Sequence, residues 1–223
     1  MMETKISGCV EFALQGENFL LLPQRGMFWP ARKTLLVADV HLGKAAAFRA
    51  HSIAVPAGTT EKDLQTLSEM IMKCGAENLI FLGDLVHNKR GLTDRVCALI
   101  LAWRERHDSV HMTLVRGNHD KKVSNITNSM RLDIVEEAHI LGPFALKHHP
   151  KPEKAHYVLC GHTHPAVRLS GRGQKGLRLP CFSFGDKVGI LPAFGSFTGC
   201  AEIEPEENEK IFVIADDEVI AVE

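Results

Sequence analysis

Asn118, His119 and Asp120 stand in succession behind Gly117, and the apolar run Met112–Val115 leads into them. An amide, an imidazole and a carboxylate at the end of a β-forming segment can bind a metal or move a proton, and strand ends are where α/β proteins keep their chemistry. The same construction recurs along the chain. Leu35–Ala38 ends in Asp39-Val40-His41, and Leu79–Leu82 ends in Gly83-Asp84. Phe144–Leu146 leads to His148-His149-Pro150, and Tyr157–Cys160 leads to Gly161-His162-Thr163-His164. Singly, each cluster is weak, because a Gly-Asp after a strand is ordinarily a turn. Their conjunction is the signal: five strand ends aim hard ligands at one edge.

The ligand types narrow the chemistry. Three oxygen donors (Asp39, Asp84, Asn118) and four imidazoles (His41, His148, His162, His164) are too many for one ion and suit two, with one carboxylate bridging. Oxygen and imidazole without thiolate favour Mn²⁺, Fe or Zn²⁺, with manganese the first expectation. Two ions about 3.5–4 Å apart clamp a phosphoryl group and acidify a bridging water, so hydrolysis of a phosphoester is the predicted reaction.

The elements that must position these residues follow from the apolar pattern. Residues 8–14 and 19–23 read as a hairpin around Gly16-Glu17-Asn18, and 34–38, 78–82 and 111–115 as strands. Gly43–Ala50 begins a short helix. A longer one runs from Thr60, where Thr60 and Asp63 resemble a capping box, to Cys74 with Gly75 as its stop; another spans Thr93–Arg106. The order β-β-β-α-β-α-β predicts parallel strands with right-handed crossovers. Short strands are expected near 132–135, 144–148 and 156–160, and 177–222 reads mainly as strands of a second sheet ending in a hairpin around Asp216-Asp217.

With 223 residues the chain is read as a single domain over 1–223, large enough to bury a core without staples. Six scattered cysteines show no CxxC pair, and no apolar run approaches the roughly 18 residues that cross a bilayer, which together predict a reduced, cytoplasmic protein with no membrane partner. A net charge of −1 leaves no global field for long nucleic acid, so any such contact must be local. Gly-Arg-Gly-Gln-Lys-Gly at 171–176 lacks the spacing of a phosphate-binding P-loop and reads as a turn.

Taken in order, DxH, GD, GNHD, HxP and GHTH between residues 39 and 164 resemble the calcineurin-like metallophosphoesterase superfamily. That resemblance implies an α/β fold, a four-layer α/β/β/α sandwich of two mixed sheets with flanking helices. It also implies that Asp39, His41, Asp84 and His164 hold one metal, that Asp84, Asn118, His148 and His162 hold the other, and that a metal-bridging hydroxide attacks while His119 assists the leaving group. His148 stands two before the proline, as the family's ligand does. Neighbours in an extended segment point to opposite sides, which leaves His149 as the alternative ligand or a pocket residue. Asp120 is expected either to orient His119 or to serve as a helix N-terminal acid.

The stretches Asp39–Lys44 with Phe48-Arg49 and Val55-Pro56, and Leu191–Gly199, are similar to a narrower group, the ligase-associated DNA-damage-response phosphoesterases. This implies a phosphodiester substrate such as single-stranded DNA ends or flaps, a DNA-repair setting with ligase or helicase partners, and phosphate contacts from Lys44, Arg49 and the run Arg172, Lys175, Arg178. The rival readings are a small-molecule phosphomonoesterase or protein phosphatase and a non-catalytic scaffold. The presence of every ligand and of His119 counts against the last.

Overall fold

The structure, a computed structural model, describes residues 6–169 and 176–222. Its first sheet contains β1 (Val10–Leu14), β2 (Glu17–Leu21), β3 (Met27–Trp29), β4 (Thr34–Val37), β5 (Asn78–Leu82), β6 (His111–Val115) and β7 (Asp133–Val135), hydrogen-bonded in that order. The first four strands form an antiparallel meander, and β4 to β7 run parallel. Helices α1 (Lys44–Ala50), α2 (Thr59–Cys74), α3 (Asp94–Arg106) and α4 (Ser124–Ser129) fall between these parallel strands.

The second sheet holds β8 (His139–Leu141), β9 (Phe144–Leu146), β10 (Tyr157–Cys160), β11 (Pro165–Leu169), β12 (Leu177–Phe184), β13 (Val188–Ile190), β14 (Ala201–Glu202), β15 (Lys210–Ala215) and β16 (Glu218–Val222). Parallel pairs (β9 with β10, β10 with β13, β11 with β14) sit among antiparallel ones, so this sheet too is mixed.

Strand periodicity divides the core. Leu35, Val37, Leu79, Phe81, Met112 and Leu114 face the helices, where Leu67, Ile100 and Trp103 meet them, while Leu36, Ala38, Ile80, Leu82 and Val115 face Phe144, Leu146, Leu159 and Phe182 of the second sheet. Alternate residues on one strand thus serve two interfaces, which is why these strands read as unbroken apolar runs. Burying each such Leu, Val or Phe contributes about 1.5–3 kcal/mol.

Two mixed sheets with flanking helices agree with the expected α/β architecture, though the helices gather on one side. Among the described residues no helix follows Ser129, and Ala145, Val158 and Cys160 of the second sheet form a separate buried cluster with Val188 and Ile190 packed on it. The three-residue strands β3 and β8, and β11, are additional to the sequence reading. The capping box at Thr60 and Asp63 is not formed. Helix α2 starts at Thr59 behind Gly58 with no side-chain cap, and the buried Asp63 carboxylate accepts the Ser196 N–H at 3.0 Å, tying the helix to the loop after β13. Helix α3 does have a side-chain cap, Thr93 Oγ1 accepting from Val96 N–H at 3.3 Å. No helix is long and apolar enough to cross a membrane among the described residues.

Candidate metal centre

Asp39 follows β4, Asp84 follows β5, Asn118 follows β6, His148 follows β9 and His162 follows β10, so both sheets deliver side chains from the carboxyl ends of parallel strands. Backbone pairing holds these ends in register. Asp39 N–H donates to the Gly83 carbonyl at 3.2 Å, His41 N–H to that of Asp84 at 2.9 Å, and Gly195 N–H to that of Asp39 at 3.2 Å. Non-glycine residues rarely take positive φ, at a cost of order 1–3 kcal/mol each. Here Asp39, His41, Asp84, His162 and His164 all do, with φ of 54°, 51°, 48°, 72° and 53°. Such strain concentrates where side chains must be aimed.

Two glycines let the strand ends meet. A Cβ on Gly117 would lie 2.2 Å from Asp84 Oδ1, and one on Gly161 would lie 2.4 Å from Asp39 Oδ2. The glycines of the GNHD and GHTH stretches therefore make room for the carboxylates of the other motifs.

Within this cradle three overlapping groups place one ligand atom each within 4.8 Å of the others: Asp39, His41 and His164; Asp39, Asp84 and His148; and His148, His149 and His162. Asp39 is fully buried; its Oδ2 accepts His162 N–H at 2.8 Å, while its Oδ1 finds no hydrogen-bond partner among the described residues. Asp84 Oδ1 accepts His119 N–H at 2.9 Å, and its Oδ2 lies 3.5 Å from His148 Nε2, 3.9 Å from His119 Nε2 and 4.0 Å from His41 Nε2.

The donor set fits divalent cations, and the hydrogen bonds show why. His148 Nδ1–H donates to the Leu82 carbonyl at 3.1 Å, so in the neutral ring Nε2 carries a lone pair; that atom faces Asn118 Oδ1 at 2.9 Å and His162 Nδ1 at 3.1 Å. His164 Nδ1–H donates to the Gly199 carbonyl at 3.1 Å and turns its Nε2 lone pair toward the orphaned Asp39 Oδ1, 3.4 Å away. Lone pairs converge on lone pairs, an arrangement that cations between them relieve, with backbone carbonyls fixing each tautomer. Burial first, and then Lys44 and His164, hold the His41 imidazole down at about 2, and burial followed by His148 lowers that of His162. Both rings remain neutral and available as ligands.

His119 is set apart from this cluster. Its Nδ1–H donates to the His87 carbonyl at 2.6 Å, so Nε2 is the free ring atom, and the side chain is 37% exposed where every other partner of Asp84 Oδ2 is buried. The His87 ring stacks on it, centroids 5.1 Å apart at 21°, and stands edge-on to His41 at 5.4 Å. Burial, then Lys44 and His119, lower the His87 imidazole to about 4. Close after Asp84 in the chain, His87 reads by position alone as a surface or supporting residue. Only the pairing of two loops, with His87 N–H donating to the Leu42 carbonyl at 3.1 Å, brings it beside His119.

Two expectations are corrected. Asp120 does not orient the His119 ring but opens the short helix Asp120–Lys122, the alternative expected of it: buried at 1% exposure, it accepts Val86 N–H at 3.1 Å through Oδ1 and Gly117 N–H at 2.9 Å through Oδ2, and so braces two ligand loops. Burial pushes its carboxyl up to about 6 against those two bonds. His148 and His149 do not point to opposite sides. The chain leaves β9 and bends through both, leaving His149 exposed with its ring 4.7 Å from that of His148 and 4.3 Å from that of His162. Arg49 is exposed and donates to the Pro56 carbonyl at 2.9 Å, pinning the loop after α1. Lys44, in contrast, is half-buried among Asp39, Asp84, His41 and His87, and burial lowers its ammonium against the pull of the two carboxylates. Arg178 is exposed on β12, whereas Arg172 and Lys175, in the stretch expected to form a turn, lie outside the described residues.

Residues 32–148 match the calcineurin-like phosphoesterase family. Among solved structures, the Pseudomonas putida nuclease MPE is 37% identical to this chain, with 96% of this chain and 100% of that one covered and a TM-score of 0.85. Yfce, a phosphoesterase from E. coli, is 17% identical over 85% of this chain and 97% of its own, TM-score 0.44. The Aquifex aeolicus protein AQ665 is 18% identical over 59% and 78%, TM-score 0.41. The last two are too distant to inform the chemistry. No curated protein sequence matches. With His and Asp groups that could hold a metal ion gathered at the strand ends, the chain belongs to the calcineurin-like phosphoesterase family, and is a hydrolase.

Proposed function

We propose that this protein hydrolyses phosphodiester bonds, in DNA or nucleotides, with two divalent ions held as Asp39, His41, Asp84 and His164 on one side and Asp84, Asn118, His148 and His162 on the other. The observation that carries the reading is the convergence of imidazole nitrogens on carboxylate oxygens, above all on the buried Asp39 Oδ1, which has no hydrogen-bond partner among the described residues and faces His164 Nε2 at 3.4 Å. When bound, such ions supply Lewis-acid charge to phosphoryl oxygens and acidify water, and manganese is the ion we expect, with iron or zinc as substitutes.

The chain's own groups supply the rest. Lys44, beside Asp39 and Asp84, neutralises a non-bridging phosphate oxygen. His119, clamped through Nδ1–H to the His87 carbonyl, faces the departing ester oxygen with Nε2 and, as the doubly protonated imidazolium, gives it the Nε2 proton and is left as the neutral Nδ1–H ring. Asp84 links both ligand groups and fixes His119 through its backbone N–H. Asp120 holds the Val86 and Gly117 loops so that these groups keep their positions.

The likeness to a nuclease at 37% identity over 96% of this chain supports a nucleic-acid substrate. A net charge of −1 supports a short contact, as with single-stranded ends or flaps, and we place the reaction in DNA repair in the cytoplasm. A panel with Mn²⁺ tests this: bis-p-nitrophenyl phosphate, p-nitrophenyl phosphate, cyclic nucleotides, and single-stranded and duplex DNA. The diester and single-stranded DNA should turn over fastest. Faster turnover of the monoester with no cleavage of DNA would move the reading to a phosphomonoesterase.

A further inference from the structure

Beyond His87, the ring that stacks on His119, lies an aromatic pair that the hydrolytic machinery does not use. Phe48 is four residues beyond Lys44 on α1, so both occupy one face of that helix, and Lys44 is the cation at the carboxylates. The Phe48 ring is 6.3 Å from that of His87, which stacks on His119, and Phe197 meets Phe48 edge-on at 5.5 Å and 88°. Both phenylalanines are only half-buried.

Phe197 belongs to a loop tied to the ligands at both ends. Gly195 N–H donates to the Asp39 carbonyl and the Gly199 carbonyl accepts from His164 Nδ1–H, while Ser196 N–H reaches Asp63. A Cβ on Gly195 would sit 2.4 Å from the Val40 carbonyl, so this loop is pressed against the DxH turn. The bracing fixes the Phe197 ring against Phe48 and leaves part of both rings open to solvent. A rigid, half-open ring pair of this kind can receive a planar group.

We propose that Phe48 and Phe197 form a stacking shelf for a nucleobase of single-stranded DNA, adjoining the scissile phosphate on the His119 side. The inference rests on the phosphodiesterase reading above and specifies how the substrate is held. Ring stacking tolerates any base, so the shelf confers a preference for unpaired, base-bearing strands without a sequence preference.

The test compares a short single strand of thymidines with a strand of the same length in which every nucleotide is an abasic tetrahydrofuran. The second keeps the phosphates and lacks the bases. Wild-type protein with Mn²⁺ should favour the base-bearing strand in kcat/KM by roughly 5- to 150-fold, the range one base–aromatic stack carries. In the Phe48→Leu, Phe197→Leu double variant, which keeps apolar bulk and loses the π faces, that ratio should fall toward one. A 2-aminopurine in the base-bearing strand, bound without metal so that no cleavage occurs, should be quenched by wild type and less so by the variant. If wild type cleaves both strands equally, or the variant keeps the full ratio and quenching, the shelf is refuted while the phosphodiesterase reading stands. If wild type cleaves neither strand but hydrolyses small diesters, the DNA reading fails and the shelf fails with it.

Discussion

Gly161→Ala adds one methyl group at the point where the two sheets meet. Its Cβ would lie 2.4 Å from Asp39 Oδ2, 2.6 Å from Ala38 Cβ and 3.2 Å from Asp39 Cγ. Relieving those contacts to ordinary van der Waals distance, which begins at 3.4 Å, moves the Asp39 carboxylate or the GHTH backbone by about 1 Å. The displaced oxygen is the one that accepts His162 N–H at 2.8 Å, and its sister atom Oδ1 is the orphan that faces His164, so the change disturbs both proposed metals at once. Gly161 does not have positive φ, so alanine brings no backbone strain and the effect is steric alone.

Overpacking of this kind costs about 1–3 kcal/mol, or roughly 2–12 °C in Tm for a chain of this size, and misplacing a ligand's support weakens metal affinity by about 10–100-fold. Calorimetric titration with Mn²⁺ and thermal unfolding of the metal-free protein measure the two. Gly185→Ala is the control, since its Cβ meets nothing nearer than 3.7 Å and should leave both properties within about 0.5 kcal/mol. Wild-type affinity and Tm in Gly161→Ala would refute the claim that this glycine seats Asp39.

His119→Ala should lower turnover of unactivated diesters by about 10²–10⁴-fold and that of p-nitrophenyl esters much less, because p-nitrophenolate leaves without a proton. Steady-state kinetics on both substrates measure this, and equal losses would assign His119 an electrostatic role. Asp120→Ala strands the Val86 and Gly117 N–H groups and should destabilise the metal-free protein by about 2–5 kcal/mol in urea unfolding. Unchanged stability with lost turnover would return Asp120 to the chemistry.

The sequence revealed the candidate ligands because each sits at the end of an apolar run. The alternation of Leu35, Leu36 and Val37 between two cores makes β4 a buried strand, and a buried strand can end only at an edge. What the sequence hid depends on contacts between distant loops. His87 looks like a surface residue until its loop pairs with Leu42, and the Gly199 carbonyl that selects the His164 tautomer lies 35 residues away. Asp120 misled because adjacency to His119 suggested a side-chain partner, whereas the His119 ring bonds to a backbone carbonyl 32 residues earlier. The bend at His148 and His149 defeated an argument that assumed an extended chain. The false capping box at Thr60 satisfied a local rule that Asp63's bond to Ser196, 133 residues on, overrides.

Metal stoichiometry with and without Asp84 tests the central claim most directly. Asp84 Oδ2 lies within 3.5–4.0 Å of three imidazoles and belongs to both proposed ligand groups. Elemental analysis after equilibration with Mn²⁺ and removal of loosely bound ion should give two ions per wild-type chain. Asp84→Asn and Asp84→Ala, folded by circular dichroism, should lose both. Saturation of wild type at one ion, or full occupancy in the Asp84 variants, would contradict the dinuclear account.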